Sequence, residues 1–335
     1  MARVIDDAAP DRHTGDRAVH PTGGAGRGPI VVGGEALVDL VPDADGRLVP
    51  HLGGGPFNVA RTVARLGGPA AYLGPLSTDR FGVALRNALA ADGVALSEAP
   101  ETDAPTTLAL AELDADGAAQ YRFYIDGTSA PGLTDATLPD DTAALCVGTL
   151  GLVLEPTART LELLVARAPA ETLVLLDPNV RPTTIADEDT YRARLDRVLA
   201  RADVLKASDA DLAWLLPGAA PADAMRRLLA RAGAETSPAP VGLVTLGGDG
   251  ALVVTLTDTV AVPAPPIDVV DTIGAGDAFA GGFLAWWHAH ELTRTDLHDR
   301  PDAVLDATRF AVRVAALTCG RAGADPPHLS IDRGA

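Results

Sequence analysis

From about residue 140 the chain settles into one rhythm: a short, largely apolar run, then a longer segment of helical spacing, then another apolar run. The runs are Ala143–Gly148, Leu173–Asp177, Asp203–Lys206 and Val241–Leu246, with helices predicted near 156–168, 188–200, 208–215 and 221–232. A strand that alternates apolar with polar residues can leave one face in water. A strand that is apolar throughout must be covered on both faces, and helices that follow each strand supply that cover. The pattern therefore predicts an α/β fold around a mostly parallel sheet with helices on both sides.

The first 140 residues add to this body. Ile30–Gly34 and Ala36–Val41 read as short strands around a glycine pair, and Arg47–Leu52 as another. Pro56–Leu66 has helical spacing, with proline in the first turn and Gly67 at the stop. Ala70–Gly74 is a strand; Asp79 caps a helix that runs to about Ala91 and ends at Gly93. Thr106–Leu113 and Ala119–Ile125 flank Asp114-Ala115-Asp116-Gly117, which predicts a β-hairpin. With the strand at 47–52, the hairpin looks like a small β element set on a large α/β body. Near the C-terminus a hairpin (Val241–Leu246, Ala251–Leu256) precedes helices at about Gly276–His290 and Ala303–Leu317. Residues 1–28 are rich in Asp, Arg, His, Gly and Pro, have no apolar core for a secretory signal, and read as a disordered extension; 331–335 read as a tail.

Charge removes several classes of function. The 335 residues hold 27 Lys plus Arg against 45 Asp plus Glu, a formal net charge of −18. Such a surface is a poor match for a nucleic-acid backbone. Lys206 is the only lysine, and it follows Leu205 rather than glycine, so no G-x-x-x-x-G-K-[ST] phosphate loop exists. The lysine-dependent motif set of protein kinases is likewise absent, and a pyridoxal-phosphate enzyme would have to use Lys206 itself. No G-x-G-x-x-G follows the first strand and there is no G-x-S-x-G. The two cysteines, Cys146 and Cys319, form no disulfide framework, which predicts a reduced, cytoplasmic setting. No apolar run approaches the ~18 residues that a membrane helix requires. His288-Ala289-His290-Glu291 reads as a polar helix end, because residues two apart do not share a helix face.

Three segments carry chemistry. In Val269-Val270-Asp271-Thr272-Ile273-Gly274-Ala275-Gly276-Asp277-Ala278-Phe279-Ala280-Gly281-Gly282 a strand exit enters a small-residue turn and then a helix. Backbone N–H groups at Gly274, Ala275 and Gly276 can converge on an anion at such a helix start, and Asp277 in the first turn can act as a general base. Alone, Gly-x-Gly-Asp is as readily a tight turn before a helix-favouring acid; the full string points to an active site. In Leu52-Gly53-Gly54-Gly55-Pro56-Phe57-Asn58-Val59-Ala60 the glycines permit close approach of a ligand and Asn58 offers both donor and acceptor to a polyol, though a flexible loop with a capping Asn has the same composition. Asp39, alone in an apolar strand, requires polar partners, which sugar hydroxyls or a strand-end turn would supply.

These segments resemble the two signatures of the ribokinase, or PfkB, carbohydrate kinase family, over about residues 29–330. Gly34-Glu35-Ala36-Leu37-Val38-Asp39, Asp177-Pro178-Asn179-Val180-Arg181-Pro182, Val244-Thr245-Leu246-Gly247-Gly248-Asp249-Gly250 and Leu317-Thr318-Cys319-Gly320-Arg321-Ala322-Gly323-Ala324 are most similar to bacterial fructokinases. The resemblance implies a ribokinase-like three-layer α/β/α fold with a small β-sheet lid, from about 43–53 and 104–126, that often mediates homodimerisation. It implies an ATP- and Mg²⁺-dependent sugar kinase, with K⁺ as a further cation in some members. Asp277 would be the base, with Gly274, Ala275 and Gly276 as the anion hole. Asp39, Gly54, Gly55, Asn58, Thr107, Phe123 and Arg181 would meet the sugar; Lys206, Ser208, Asp211, Thr245, Gly247, Gly250 and Cys319 would border the nucleotide. Asp271, Ile273 and Gly323 match the monovalent-cation loop. Ser208 and Asp211 stand where the family has N-x-x-E, and three-residue spacing at a helix start also makes them a near capping box. Arg181 could grip an anionic substrate group or pair with a carboxylate. Acid-sugar kinases of the family place a second arginine on the lid near Phe123-Tyr124, where this chain has Ile125-Asp126. Fructose is the expected substrate, with ribose, a nucleoside or 2-keto-3-deoxygluconate as same-family alternatives and a non-catalytic sugar or nucleotide sensor as the alternative of another class.

Overall fold

The computed structural model describes residues 28–43, 45–113, 119–233 and 240–332. The expected extension before Gly28, the Asp114–Gly117 turn and the last residues of the tail lie outside the described residues.

The chain opens with β1 (Ile30–Gly33), then β2 (Leu37–Pro42), β3 (Leu48–Gly53), α1 (Gly55–Arg65), β4 (Ala70–Leu73), β5 (Leu76–Ser77), α2 (Arg80–Ala91), β6 (Glu101–Thr102), β7 (Leu108–Leu113) and β8 (Ala119–Tyr124). The alternating part follows: β9 (Ala144–Gly148), α3 (Thr157–Arg167), β10 (Leu173–Asp177), α4 (Glu188–Leu199), β11 (Val204–Ser208), α5 (Asp209–Leu215), α6 (Pro221–Gly233) and β12 (Val241–Thr245). β13 (Ala251–Val254), β14 (Thr259–Val262), α7 (Ala275–Ala289), α8 (Asp296–Asp299) and α9 (Pro301–Cys319) complete it.

The large sheet runs β14-β13-β12-β11-β10-β9-β1-β4, parallel from β12 to β4 and antiparallel at β12-β13 and β13-β14. Successive residues of its strands enter different cores, as the two-fold period of a strand requires. Ile30, Val32, Leu173 and Leu175 join Val59 and Val63 of α1, Phe283 of α7 and Val304 of α9 on one face. Val31, Val174 and Leu176 join Leu161 of α3, Leu195 of α4, Leu212 of α5 and Leu229 of α6 on the other. This is the three-layer α/β/α arrangement that the apolar runs call for. The Trp286-Trp287 pair splits: Trp287 is 3% exposed and stacks on Phe283, while Trp286 stacks on His290.

The small sheet has the order β3-β2-β7-β8. The segments expected for it supply three strands; the fourth, β2, is an inner strand, antiparallel to β3 and parallel to β7. Spacing alone could not assign β2, because a strand just after β1 can extend the large sheet or leave it. Residue spacing also missed β14 and the two-residue strands β5 and β6, which are too short to show a period.

In the large sheet, β1 has β4 on one side and β9 on the other. The chain leaves β1 for the small sheet and β4, then returns to the opposite flank. The turns beyond the carboxyl ends of β1 and β9 therefore part, which opens a crevice where α/β sheets bind ligands.

Candidate active site

A cleft of about 920 Å³ lies over this crevice, between the large sheet, the small sheet and the start of α7. Its walls contain Asp277, Gly274, Ala275, Gly276, Asp39, Gly54, Gly55, Asn58, Phe123, Arg181, Lys206, Ser208, Asp211, Thr245, Gly247, Gly250, Cys319, Asp271 and Ile273, residues drawn from more than 200 positions of sequence.

Each arrives there for a local reason. Gly274 has φ 75°, the left-handed conformation that closes a turn immediately before a helix. No side chain caps the first turn of α7, so its N–H groups face the cleft end; that of Ala275 makes a long bond, 3.3 Å, to the Thr272 carbonyl. Asp277, 8% exposed, accepts a 2.9 Å hydrogen bond from Asn58 Nδ2 on α1. Burial raises its carboxyl above the usual range, while Asn58, Lys206 and Arg181 oppose the rise. The other polar atom of Asn58, Oδ1, is buried without a partner.

The small sheet presents one row to the cleft. Asp39 pairs with His51 of β3 and with Ala109 of β7, which in turn pairs with Phe123 of β8. Leu37, Asp39, Tyr121 and Phe123, two apart on their strands, line the same wall. Burial first, then the charge of Asp277, pushes Asp39 up to about 6, with Arg181 opposing. Gly53 lies beneath it, where a Cβ would overlap Asp39 Oδ2 and displace that carboxylate.

Lys206 is 3% exposed and its Nζ donates to Asp177 Oδ2 at 2.7 Å. Burial works against the ammonium, but Asp177, Asp211 and Asp277 hold its pKa above the usual lysine value. A Cβ on Gly276 would lie 3.0 Å from Nζ, so the only lysine of the chain sits directly against the first turn of α7. Ser208 and Asp211 form a full capping box on α5. Asp211 Oδ2 accepts from Ser208 N at 2.8 Å and from its Oγ at 2.6 Å, and Oδ1 accepts from Val180 N at 2.7 Å. That carboxylate is engaged in holding α5 and the turn after β10. Asp209, exposed beside it, also lines the cleft.

Arg181 is exposed at the rim; its guanidinium contacts the carbonyls of Asn179 and Val180 and pairs with no carboxylate among the described residues. Asp271 accepts from Ile273 N at 3.0 Å and from Gly323 N at 2.9 Å, so Gly323 meets the loop as a donor and does not line the cleft.

Thr107, like Gly323, does not line the cleft. Thr107 is fully buried, and its hydroxyl contacts the Thr128 hydroxyl at 2.7 Å and accepts from Ala130 N at 3.0 Å. It anchors β7 to the segment after β8, because a threonine at the root of a strand satisfies backbone groups there. Sequence reading does not single out the polar residues Glu35, Thr149, Asn179, Asp177 and Asp209. Thr149 and Asn179 adopt positive φ, 52° and 38°, and both line the cleft. Strained residues gather at functional sites, but positive φ leaves no mark in composition. Glu35 and Asp177 could have been found by asking what partners an acid in an apolar run would have.

Residues 29–331 match the model of the pfkB family carbohydrate kinases. The chain belongs to that family. It is a fructokinase-like carbohydrate kinase, a phosphotransferase with an alcohol acceptor. The fructokinase of Rhizobium leguminosarum bv. trifolii is 37% identical over 264 residues, 76% of this chain and 78% of that one. The structure of a Xylella fastidiosa fructokinase with bound ATP aligns with a TM-score of 0.78 at 28% identity, covering 88% of this chain and 93% of the other. A Vibrio cholerae O395 fructokinase with fructose, ADP and calcium ion aligns with a TM-score of 0.74 at 26% identity, over 88% of this chain and 94% of that one.

Proposed function

We propose that this kinase transfers the γ-phosphoryl of ATP to a hydroxyl of fructose, with Asp277 as the general base. The observation that carries the assignment is the buried Asp277 carboxylate at the start of α7, next to the uncapped turn Gly274–Gly276 and hydrogen-bonded to Asn58. Fructose is favoured by the fructokinase relatives and by a wall with acceptors for a polyol, Asp39 and Asn58 Oδ1.

In this reading Asp39, Gly54, Gly55 and Asn58 hold the sugar with one hydroxyl against Asp277. Asp277 takes that hydroxyl's proton as the oxygen attacks the γ-phosphorus, and ADP leaves on the opposite side. Its burial makes the carboxylate a stronger base than a solvated aspartate. The first-turn N–H groups of α7 and the ammonium of Lys206 stabilise the charge on the transferring group. Thr245, Gly247, Gly250 and Cys319 border the rest of the nucleotide. Oxygen donors suit a hard cation: Asp209 is the acid free to assist a nucleotide-bound Mg²⁺, since Asp211 is engaged, and Asp271 with the Ile273 carbonyl suits K⁺; bound there, such ions neutralise phosphate charge. The small sheet closes as a lid and excludes water. Exposed Leu48 and Val49 on β3 and Tyr124 on β8 support a homodimer through that sheet. Both cysteines are free and no helix among the described residues is long and apolar enough to cross a membrane, which fits action in a reduced cytoplasm.

ADP release across fructose, ribose, a nucleoside and 2-keto-3-deoxygluconate tests the acceptor. Asp277→Asn is expected to lower kcat by about 10³-fold or more with MgATP affinity largely kept. Near-full turnover by that variant would remove Asp277 as the base.

A further inference from the structure

Glu35 has no part in the reaction as written, yet it lines the cleft and is more buried than Asp277 itself, 3% against 8% exposed. It lies two residues beyond β1. Its Oε2 accepts from the Thr149 hydroxyl at 2.6 Å and from the Gly151 N–H at 2.9 Å, both just beyond β9. The carboxyl thus clips one bank of the crevice to the other. Thr149 is held at φ 52°, an unfavourable conformation for a β-branched residue. Beside it, a Cβ on Gly55 would lie 2.6 Å from Thr149 Cγ2 and 3.4 Å from Asp277 Oδ1. The Thr149 methyl of the clip and the carboxylate of the base therefore both border Gly55. Two residues after Glu35 the chain becomes β2, an inner strand of the small sheet.

The ionisable groups that face Glu35 are Asp277 from α7 and Tyr72 from β4, whose hydroxyl donates to the Gly34 carbonyl at 2.8 Å. Lys206 of β11 and Arg181 act on Asp277 instead, and Asp277 in turn acts on Asp39 of β2. Burial is the main cause that lifts Glu35 to about 7; Asp277 adds to it, and the bonds from Thr149 and Gly151 oppose it. Near neutrality the group is divided between acid and carboxylate. Nucleotide phosphates add negative charge to the cleft and favour the acid.

We propose that Glu35 is a positioning residue that binds a proton from solvent when nucleotide phosphates enter the cleft, and that its neutral carboxyl keeps the turns after β1 and β9 clamped beside Asp277 without placing a second charge there. The proposal rests on the kinase reading.

Calorimetric titration of MgADP at about pH 7.5, just above the Glu35 midpoint, in two buffers of different ionisation enthalpy, measures the proton directly. Wild type is expected to take up a fraction of a proton per MgADP. Glu35→Gln keeps the acceptor oxygen for Thr149 and Gly151, cannot ionise, and is expected to bind without that uptake. In turnover, Glu35→Ala is expected to lower kcat about ten- to hundredfold, more than it raises the sugar KM, with Gln restoring much of the loss. Binding without proton exchange in wild type, or equal uptake in wild type and Glu35→Gln, overturns the proposal, and so does wild-type kcat in Glu35→Ala. A wild-type protein that binds no MgADP overturns the kinase reading itself, and this inference with it. If the alanine variant does not fold, the glutamine comparison decides alone.

Discussion

The position of Lys206 makes sense only with an anion in view. A helix start carries partial positive charge, so an ammonium against the first turn of α7 is a like-signed contact. Asp177 on one side and Asp277 nearby make it tolerable, and a phosphate above the same turn would satisfy both cation and helix. The residue that excluded a phosphate loop in the sequence, the single lysine, thereby supplies charge by another route. Replacing it with Met strands Asp177 in a buried site, where Oδ1 already lacks a partner. Lys206→Met is expected to destabilise the fold by about 3–5 kcal/mol. The double variant Lys206→Met with Asp177→Asn is expected to recover most of that in urea denaturation while MgATP KM stays raised. If the double variant also recovers the KM, Lys206 is structural only.

At the scale of elements, the capping box of α5 ties a helix start to a substrate-side turn. Asp211 holds Ser208 with one oxygen and the Val180 N–H with the other, and Val180 lies between left-handed Asn179 and rim residue Arg181. Asp211→Ala removes the acceptor of the buried Val180 N–H and of the part-buried Ser208 N–H and hydroxyl, and is expected to cost about 2–4 kcal/mol in denaturant unfolding. The freed turn carries Arg181, so the sugar KM should rise more than the ATP KM. The reverse order would place Asp211 on the nucleotide. The string Ser208-Asp209-Ala210-Asp211 showed the cap in advance, because capping is a local rule. It did not show the bond to Val180, which depends on β10 and β11 lying side by side.

For the whole molecule, the cleft brings several acids into one low-dielectric space, and stability must respond to pH. The folded-state pKa of Glu35, about 7, lies above its ordinary 4.5, and that of Asp39, about 6, above 3.8. A carboxyl raised in this way supports the fold fully below its ordinary value and loses that support as pH climbs through the folded value. For Glu35 the loss amounts to about 3 kcal/mol, spread over about pH 4.5 to 7. Unfolding free energies of wild type and Glu35→Gln across that window are expected to diverge, the variant gaining as pH rises. A constant difference would show that Glu35 does not titrate there. Activity and stability then pull apart at this site: the crevice that assembles the chemistry also holds two residues at positive φ, Thr149 and Asn179.

Some of this could be read directly from the chain. Apolar runs with helices between them specify a covered parallel sheet, because backbone polarity and side-chain burial leave few other solutions. The glycine-Asp turn at 274–277, the Asn58 segment, the cap at Ser208 and the isolated Asp39 are local patterns, and all lie on the cleft wall. What tertiary structure decided is everything that depends on two distant segments meeting. β2 left the large sheet for the small one, Thr107 turned inward to Thr128, Asp177 met Lys206, and Glu35 met Thr149 across the switch point. The Glu35–Thr149 pairing spans 114 residues of sequence, and the Asn58–Asp277 bond 219. They arise from the order of the strands within the two sheets, and a one-dimensional pattern carries no record of that order.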